Sequence, residues 1–285
     1  MADTARTRAA LVTLFGDNVA GDISAQDLRD FMISTHLMTD LDQVVTVAKA
    51  GGQYTLIQSA IDSISDAASD KIYTVLVYPG EYDEAITLSD YVNIVAIDPK
   101  ATKILRQVSD NEVECHCYLK ITIETTRAQE YGLYTSNANT VITIDGNVSG
   151  GEMAGVGCGN GNQTINGNVT CIDGSGAFIS DGIQTINGNV SASGALSVIC
   201  YGGIQTINGN IASTMNNANG HCVEISNGIC ILQNCKLICT HADVKSIYAG
   251  TAQDVYCMNV WANRDDDANI TQKITGGFNF DANVQ

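Results

Sequence analysis

The chain is short of proline (2), of tryptophan (1) and of basic residues, with 14 Lys and Arg against 31 Asp and Glu and a formal charge of -17. Two prolines in 285 residues leave no room for Pro-rich linkers. The basic deficit is also concentrated, since no Lys or Arg occurs between Arg127 and Lys236. Phosphate recognition depends on such cations, which argues against nucleic acid or an anionic membrane surface as partner. No run approaches the ~20 apolar residues of a membrane-spanning helix, so no membrane insertion is expected. The start, Met1-Ala-Asp-Thr-Ala-Arg6, has no apolar signal core. The expectation is synthesis in a reducing cytosol, where the ten cysteines default to buried free thiols rather than disulfides.

What is present is glycine (27), an apolar fraction of 45%, and a repeat. Ile142-Thr-Ile-Asp-Gly-Asn-Val148 is followed by Gln163-Thr-Ile-Asn-Gly-Asn-Val169, which recurs unchanged at Gln184–Val190 and with one change at Gln205–Ile211, each 21 residues on. Cys230-Ile-Leu-Gln-Asn-Cys-Lys236 fits the same frame after a loop lengthened around Met215–Gly220. Such a period is too short for a helical hairpin and suits one coil of a β-solenoid. Thr, Ile and Val alternate with polar positions, as strands require. Ile144, Ile165, Ile186, Ile207 and Leu232 are expected to stack as one inward column, with Cys158, Ile179, Cys200 and Ile225 as another. The stacked Gly146, Gly167, Gly188 and Gly209 read as positions needing φ > 0. Beside them Asn147, Asn168, Asn189 and Asn210 suit a structural ladder of side-chain amides, and Gln163, Gln184 and Gln205 a second one.

The pattern extends both ways, through Tyr73–Tyr78, Ile94 and Leu119–Ile123 upstream and through Val255–Asn259 and Ile274–Phe280 downstream. At roughly 4.8 Å per coil, about ten or eleven coils would make a rod about 50 Å long. The reading is thus mainly β: a parallel β-helix domain over residues 44–285, preceded by a helical segment over residues 1–43.

Val47-Ala-Lys-Ala-Gly-Gly-Gln-Tyr-Thr-Leu-Ile-Gln-Ser-Ala-Ile-Asp62 leads from a strand through a Gly pair into a short helix with Ile57, Ala60 and Ile61 on one face. That helix would close the open end of the apolar stack. Tyr73 to Leu88 then gives strand, Pro-Gly turn, strand. Together these motifs, over roughly Val44–Asp98, resemble the start of the pectin-lyase-like superfamily and of pectin methylesterases in particular. The resemblance implies a right-handed parallel β-helix. It says little about activity. Esterases of that group use paired aspartates with glutamines and an arginine nearby, and the later motifs that carry them find no match. The lyases need a Lys or Arg base, which the central coils lack. A hydrolase would need clustered carboxylates, for which Asp173 and Asp181, with Glu152 and Glu224 as neighbours, are the candidates. Acidic side chains on solvated turns are the preferred reading of these residues, so no catalytic residue and no cofactor is assigned.

Two sets of residues admit a metal reading. Cys115-His116-Cys117, His221-Cys222 and Cys239-Thr-His241 would have to converge to bind zinc, whereas the i, i+2 spacing also describes two core cysteines, and that reading is preferred. Asp265-Asp266-Asp267 offers oxygen ligands to Ca²⁺ but reads first as a solvated acidic loop. No metal is assigned.

Residues 1–43 have a different texture. Thr4–Phe15 reads as a short helix, and Ile23-Ser-Ala-Gln-Asp-Leu-Arg-Asp-Phe-Met-Ile33 starts a second, with Ser24 as N-cap and Asp27 in the first turn. Two such helices bury no core of their own. Leu14, Phe15, Ile23, Leu28 and Phe31 are therefore expected to attach the chain or join subunits. The string from Leu14 to Asp30 resembles the N-terminal segment of tailed-bacteriophage virion proteins, and the run from Asn259 to Val284 is similar to phage β-helix endings. That resemblance implies a structural virion protein: a homotrimeric tail fibre, spike or head or collar appendage, made in the host cytoplasm. It would join other virion proteins through its N-terminal segment and contact a host-surface glycan, without catalysis. The alternatives are a polysaccharide-degrading β-helix enzyme and a capsid decoration (cement) protein with no ligand.

Overall fold

The computed structural model describes residues 43–111, 113–194, 196–214, 221–239, 245–249, 254–262 and 274–280. The chain divides into two units, Met1–Val44 and Val45–Gln285. The attachment residues Leu14, Phe15, Ile23, Leu28 and Phe31 lie outside the described residues, as do Asp265-Asp266-Asp267 and His241.

The second unit is a parallel β-solenoid of about eight turns, with about 22 residues per turn. Each turn supplies a strand to three stacks. In one central turn these strands are Val141–Ile144 in the first stack, Val148–Gly150 in the second and Ala154–Cys158 in the third. The strand-to-strand ladders are parallel, and those of the central turns are in register, as in Ile144↔Ile165↔Ile186↔Ile207; the last ladder, between Asp254–Ala262 and Ile274–Phe280, shifts register between Cys257 and Val260. The third stack is a sheet of eight strands, one per turn. The first and second stacks form a single sheet of nineteen strands, because Asp254–Ala262 pairs with both Ile229–Gln233 and Lys236–Cys239. The ten or eleven coils expected from sequence shrink to eight turns for a physical reason. Val44–Val47 and Ile274–Phe280 extend the first stack at its two ends, where the third stack has no strand among the described residues.

The core is a set of vertical columns, because a period of one coil returns the same position to the same height on the next rung. The first stack carries Val75, Ile94, Leu119, Ile144, Ile165, Ile186, Ile207, Leu232 and Cys257 inward, all buried. The second carries Tyr82, Ile104, Ile123, Val148, Val169, Val190, Ile211 and Leu237. In the third, Cys158, Ile179, Cys200 and Ile225 align as expected.

The helix Ile57–Asp62 buries Ile57, Ala60 and Ile61. Its first backbone N–H groups lack a local cap and instead donate to Glu84, Ile57 N to Oε1 at 2.8 Å and Gln58 N to Oε2 at 3.0 Å. A carboxylate at a helix N-terminus satisfies orphan donors and opposes the helix dipole.

The glutamines form an interior column. Gln163, Gln184 and Gln205 are buried, each Nε2 donating to the rung below: Gln205 to Gln184 Oε1 at 2.7 Å, Gln184 to Gln163 Oε1 at 3.0 Å, and Gln163 to Thr135 Oγ1 at 2.8 Å. Gln163 and Gln184 also donate to Gly157 O and Phe178 O, tying the first stack to the third. The asparagine ladder is exposed and works differently. Asn147, Asn168 and Asn189 each accept, through Oδ1, the backbone N–H of the asparagine one rung on, at 2.9 to 3.0 Å, and Asn210 accepts from Lys236 N. A third ladder runs beside it, with Asn187 donating to Asn166, Asn166 to Asp145, and Tyr118 Oη to the same aspartate at 2.6 Å. The hydroxyl of Tyr118 and the amide of Asn166 hold the Asp145 carboxyl below its ordinary range.

The corner glycines require a correction. Gly209 adopts the expected positive φ (155°), but Gly146, Gly167 and Gly188 do not. They are glycine because successive corners nearly touch: a Cβ on Gly167 would lie 2.1 Å from Gly146 O, and one on Gly188 2.1 Å from Gly167 O. A full stack of positive φ occurs instead at Gly161 (88°), Gly182 (84°) and Gly203 (67°), at the turn from the third stack into the first.

One cysteine expectation is also corrected, since Cys222 and Cys239 form a disulfide with Cα atoms 6.3 Å apart. The other eight cysteines are buried free thiols. Burial pushes Cys158 and Cys200 up to about 11 and Cys257 up to about 12, so these thiols are poor nucleophiles and poor ligands near neutrality.

Candidate functional site

The outer side of the third stack carries a run of aromatic residues. Register places Ser109, Tyr134, Gly157, Phe178, Ile199, Glu224 and Tyr248 one above another. The rings of Tyr131 and Tyr134 stack with centroids 4.7 Å apart. They lie down on the sheet, because a Cβ on Gly157 would meet the Tyr131 ring at 2.6 Å and one on Gly159 would meet Tyr134 Oη at 2.6 Å. Phe178 packs edge-on against Tyr201 at 5.7 Å, and His221 lies tilted by 40° against Tyr248 at 4.8 Å. Burial, and then the neighbouring Tyr134, push the Tyr131 phenol up, keeping it protonated as a donor. The result is a seam of rings, half-buried at Tyr131, Tyr134 and Phe178 and exposed at Tyr201 and Tyr248, over a glycine floor. Tyr134 and Phe178 are two rungs apart, roughly 10 Å, close to the length of a disaccharide. Flat aromatic faces flanked by hydroxyls suit the alternating C–H and O–H surfaces of pyranose rings, as a mostly apolar site with a few fixed polar groups does in general.

A second surface is the open groove where the Asp-Gly-Asn corner meets the second stack. Thr122, Glu124, Asn147, Ser149, Asn168 and Thr170 line a volume of about 350 Å³. A neighbouring volume of about 260 Å³ is bordered by charged pairs, Lys103 with Glu124 at 2.7 Å and Arg127 with Asp83 at 2.9 Å. Glu81 lines the same volume as a third carboxylate, so the lining carries three acids against two cations.

The carboxylates singled out from sequence do not converge. Asp173 and Asp181 are exposed and stand beyond opposite ends of the strand Ser175–Ile179. Four residue steps of extended chain span ~13 Å, already more than the separation of about 5 to 9.5 Å that acid–base pairs of glycosidases use. Glu152 sits on the turn before the third stack, exposed, and Glu224 is on its outer side, half-buried. Cys115 and Cys117 are buried in the core, whereas the half-buried His116 points outward from the same strand. The cysteines and this histidine therefore cannot share an ion.

Sequence reading missed the aromatic seam. Its members come from different coils, and Tyr131, Tyr134, Phe178 and Tyr201 belong to the stretch of each coil that does not repeat. The available signal was the recurrence of an aromatic residue at one position of the coil frame, Tyr134 and then Phe178.

No protein-family model matches the sequence, and no curated protein matches it. Among solved structures the chain is similar to the pectin methylesterase from Aspergillus niger in its deglycosylated form, at 12% identity and a TM-score of 0.45, covering 84% of each chain. The parallel β-helix expected from the opening motifs stands. The expectation that the chain is not an enzyme is withdrawn: the solved structure named above is an esterase, although a likeness of this kind assigns no activity to the chain. The physical reason lies in the solenoid. Residues that meet on one face come from successive coils, so a catalytic constellation leaves no contiguous motif whose absence could be read from sequence.

Proposed function

We propose that the chain acts on a polysaccharide laid along the outer side of the third stack. The observation that carries this reading is the seam of Tyr131, Tyr134, Phe178 and Tyr201 over Gly157 and Gly159. The absence of Lys and Arg between Arg127 and Lys236 favours a neutral or esterified polymer over a polyanion. Glu224, in register between Ile199 and Tyr248, is the carboxylate best placed beside such a chain, with the Ser226 hydroxyl donating to its Oε1 at 3.4 Å. The test is retention on a panel of insoluble polysaccharides, methyl-esterified pectin and polygalacturonate among them, together with assay of released methanol and reducing ends. Retention on a neutral or esterified polymer, lost at least tenfold in Tyr134→Ala and Phe178→Ala, supports the reading. Turnover lost in Glu224→Gln with binding intact assigns that carboxylate. Equal retention of wild type and both aromatic variants would overturn the site.

The virion-appendage reading draws on the residues from Leu14 to Asp30 and from Asn259 to Val284, most of them outside the described residues. The same glycan-facing seam would serve host attachment. Immunogold labelling of purified particles, with light scattering for the expected trimer, decides it.

A further inference from the structure

The surface away from the aromatic seam holds one cluster of mixed metal-ligand donors among the described residues: Asp90, Glu114 and His116, whose ligand atoms lie within 4.8 Å of one another. All three are on the edge where the turns from the third stack enter the first. Asp90 comes from one turn and Glu114 and His116 from the next, so the coil spacing brings together residues 26 apart in sequence. Nothing in the repeat requires a histidine here, since the register partner of His116 on the following rung is Val141.

We propose that Asp90, Glu114 and His116 bind a divalent transition-metal cation, Zn²⁺ being the best match to the donors. One imidazole nitrogen and two carboxylates are a borderline-to-hard donor set of the kind zinc accepts, and three protein ligands leave a fourth position for water or a substrate oxygen. Tetrahedral ligands at roughly 2.0 to 2.2 Å from zinc stand about 3.4 Å from one another. The distances from His116 Nδ1, 3.0 Å to Asp90 Oδ1 and 3.9 Å to Glu114 Oε1, bracket that value, and with all three ligand atoms within 4.8 Å of one another side-chain adjustment alone would close the site.

Each ligand is also oriented from outside. The His116 ring stacks on Tyr91, with centroids 5.3 Å apart and planes 7° from parallel. Glu114 Oε2 accepts from Asn139 Nδ2 at 3.3 Å, leaving Oε1 to face the imidazole. Asp90 Oδ1 accepts the backbone N–H of His116 at 2.8 Å, which fixes the carboxylate across the gap between turns. Outer-shell contacts of this kind hold ligands in place before the ion arrives. The competing account is a proton in place of the metal, with a protonated His116 paired to two carboxylates.

Calorimetric titration of the full chain with ZnCl₂, repeated with Co²⁺ for its visible spectrum, separates the two. The expected result is one equivalent bound at micromolar affinity, with a tetrahedral Co²⁺ band and a shift of the His116 ring-nitrogen resonances. Binding should weaken at least tenfold in His116→Gln and in Asp90→Asn, and stay unchanged in His221→Gln. All three changes are at outward side chains, and circular dichroism checks the fold of each. Failure to bind at millimolar Zn²⁺, or binding that His116→Gln leaves intact, overturns the proposal. It does not depend on the glycan reading, and neither outcome bears on retention by polysaccharides.

Discussion

The N-terminal turns and the central turns of this solenoid solve one problem with different chemistry. Both must hold parallel rungs in register while burying the same kind of apolar column. From Tyr73 to Glu130 the rungs are held by charge: Lys103 with Glu124, Arg127 with Asp83, and Arg106 with Glu130, whose Nε–Oε1 distance is 2.7 Å. From Gly150 to Ile211 no charged pair occurs among the described residues, and neutral amides do the work, inside through Gln163, Gln184 and Gln205 and outside through Asn168, Asn189 and Asn210. A charged pair fits one place, needs two different residues and answers to pH and salt. An amide is both donor and acceptor, so one residue type can be stacked indefinitely without building up charge. The central turns can therefore repeat, and the N-terminal ones do not.

The largest effect that would sharpen this contrast is steric. Gly167→Ala places a methyl group 2.1 Å from Gly146 O and is expected to cost more than ~3 kcal/mol, read as loss of the cooperative transition in urea or failure to fold. A cost below ~1 kcal/mol would mean that the corners can part.

Next comes the buried ladder. Gln184→Leu strands the Gln163 acceptor and a Gln205 donor, for an expected loss of about 2 to 4 kcal/mol. Gln205→Leu should cost clearly less, because Gln205 Oε1 is already a buried acceptor without a donor. Equal losses in urea melts would refute the ladder as the source.

The charged turns should answer to acid where the amide turns do not. Burial works to raise the Glu130 carboxyl, but hydrogen bonds from Arg106, Thr125 Oγ1 and the Gln107 backbone N–H outweigh it and hold the group below its ordinary value of 4.5. Its contribution is therefore complete above that value and is lost as pH falls through the lower, folded one. Hydrogen exchange near pH 3 should show the turns around Arg106 and Glu130 opening before those around Gln184. Glu130→Gln should remove this difference, at a cost of about 1 to 2 kcal/mol at pH 7.

The smallest effect belongs to the exposed pair. Asp83→Asn should change stability by less than ~0.5 kcal/mol, because water screens the Arg127 pair at its surface.

The two regions also differ in how far sequence could be read. The stretch Gln-Thr-Ile-Asn-Gly-Asn-Val exposes its architecture because inward, ladder and corner residues are all pinned by contact with their own copies. The third stack hides its architecture. Its inner positions accept any apolar residue of suitable volume, as in Leu133, Val156, Ala177 and Val198, so the aromatic residues on its outer side have no repeating frame to stand out from. The Asp173 and Asp181 pairing fails because nearness along the chain is not nearness in space when a whole strand runs between the two. The cluster of His116 with Asp90 and Glu114 escapes sequence reading in the opposite way, since its partners sit one coil away and the thiols beside it in sequence point into the core. Glu84 as the cap of Ile57–Asp62 is likewise out of reach, being supplied from 26 to 27 residues downstream.

The identity of Gln163–Val169 and Gln184–Val190 also bears on how the chain finds its native threading. A nascent solenoid that docks the second copy where the first belongs, a slip of 21 residues, keeps the stacked corners and both kinds of amide bond through its middle. It forfeits contacts at the ends: the bond from Gln163 to Thr135 Oγ1 and the link from Asn166 to Asp145. Kinetic discrimination against the slipped chain thus rests on a few contacts at the lower boundary of the repeat. Turns that are all different, laid down first by a polypeptide emerging from its N-terminus, count the rungs before interchangeable ones arrive.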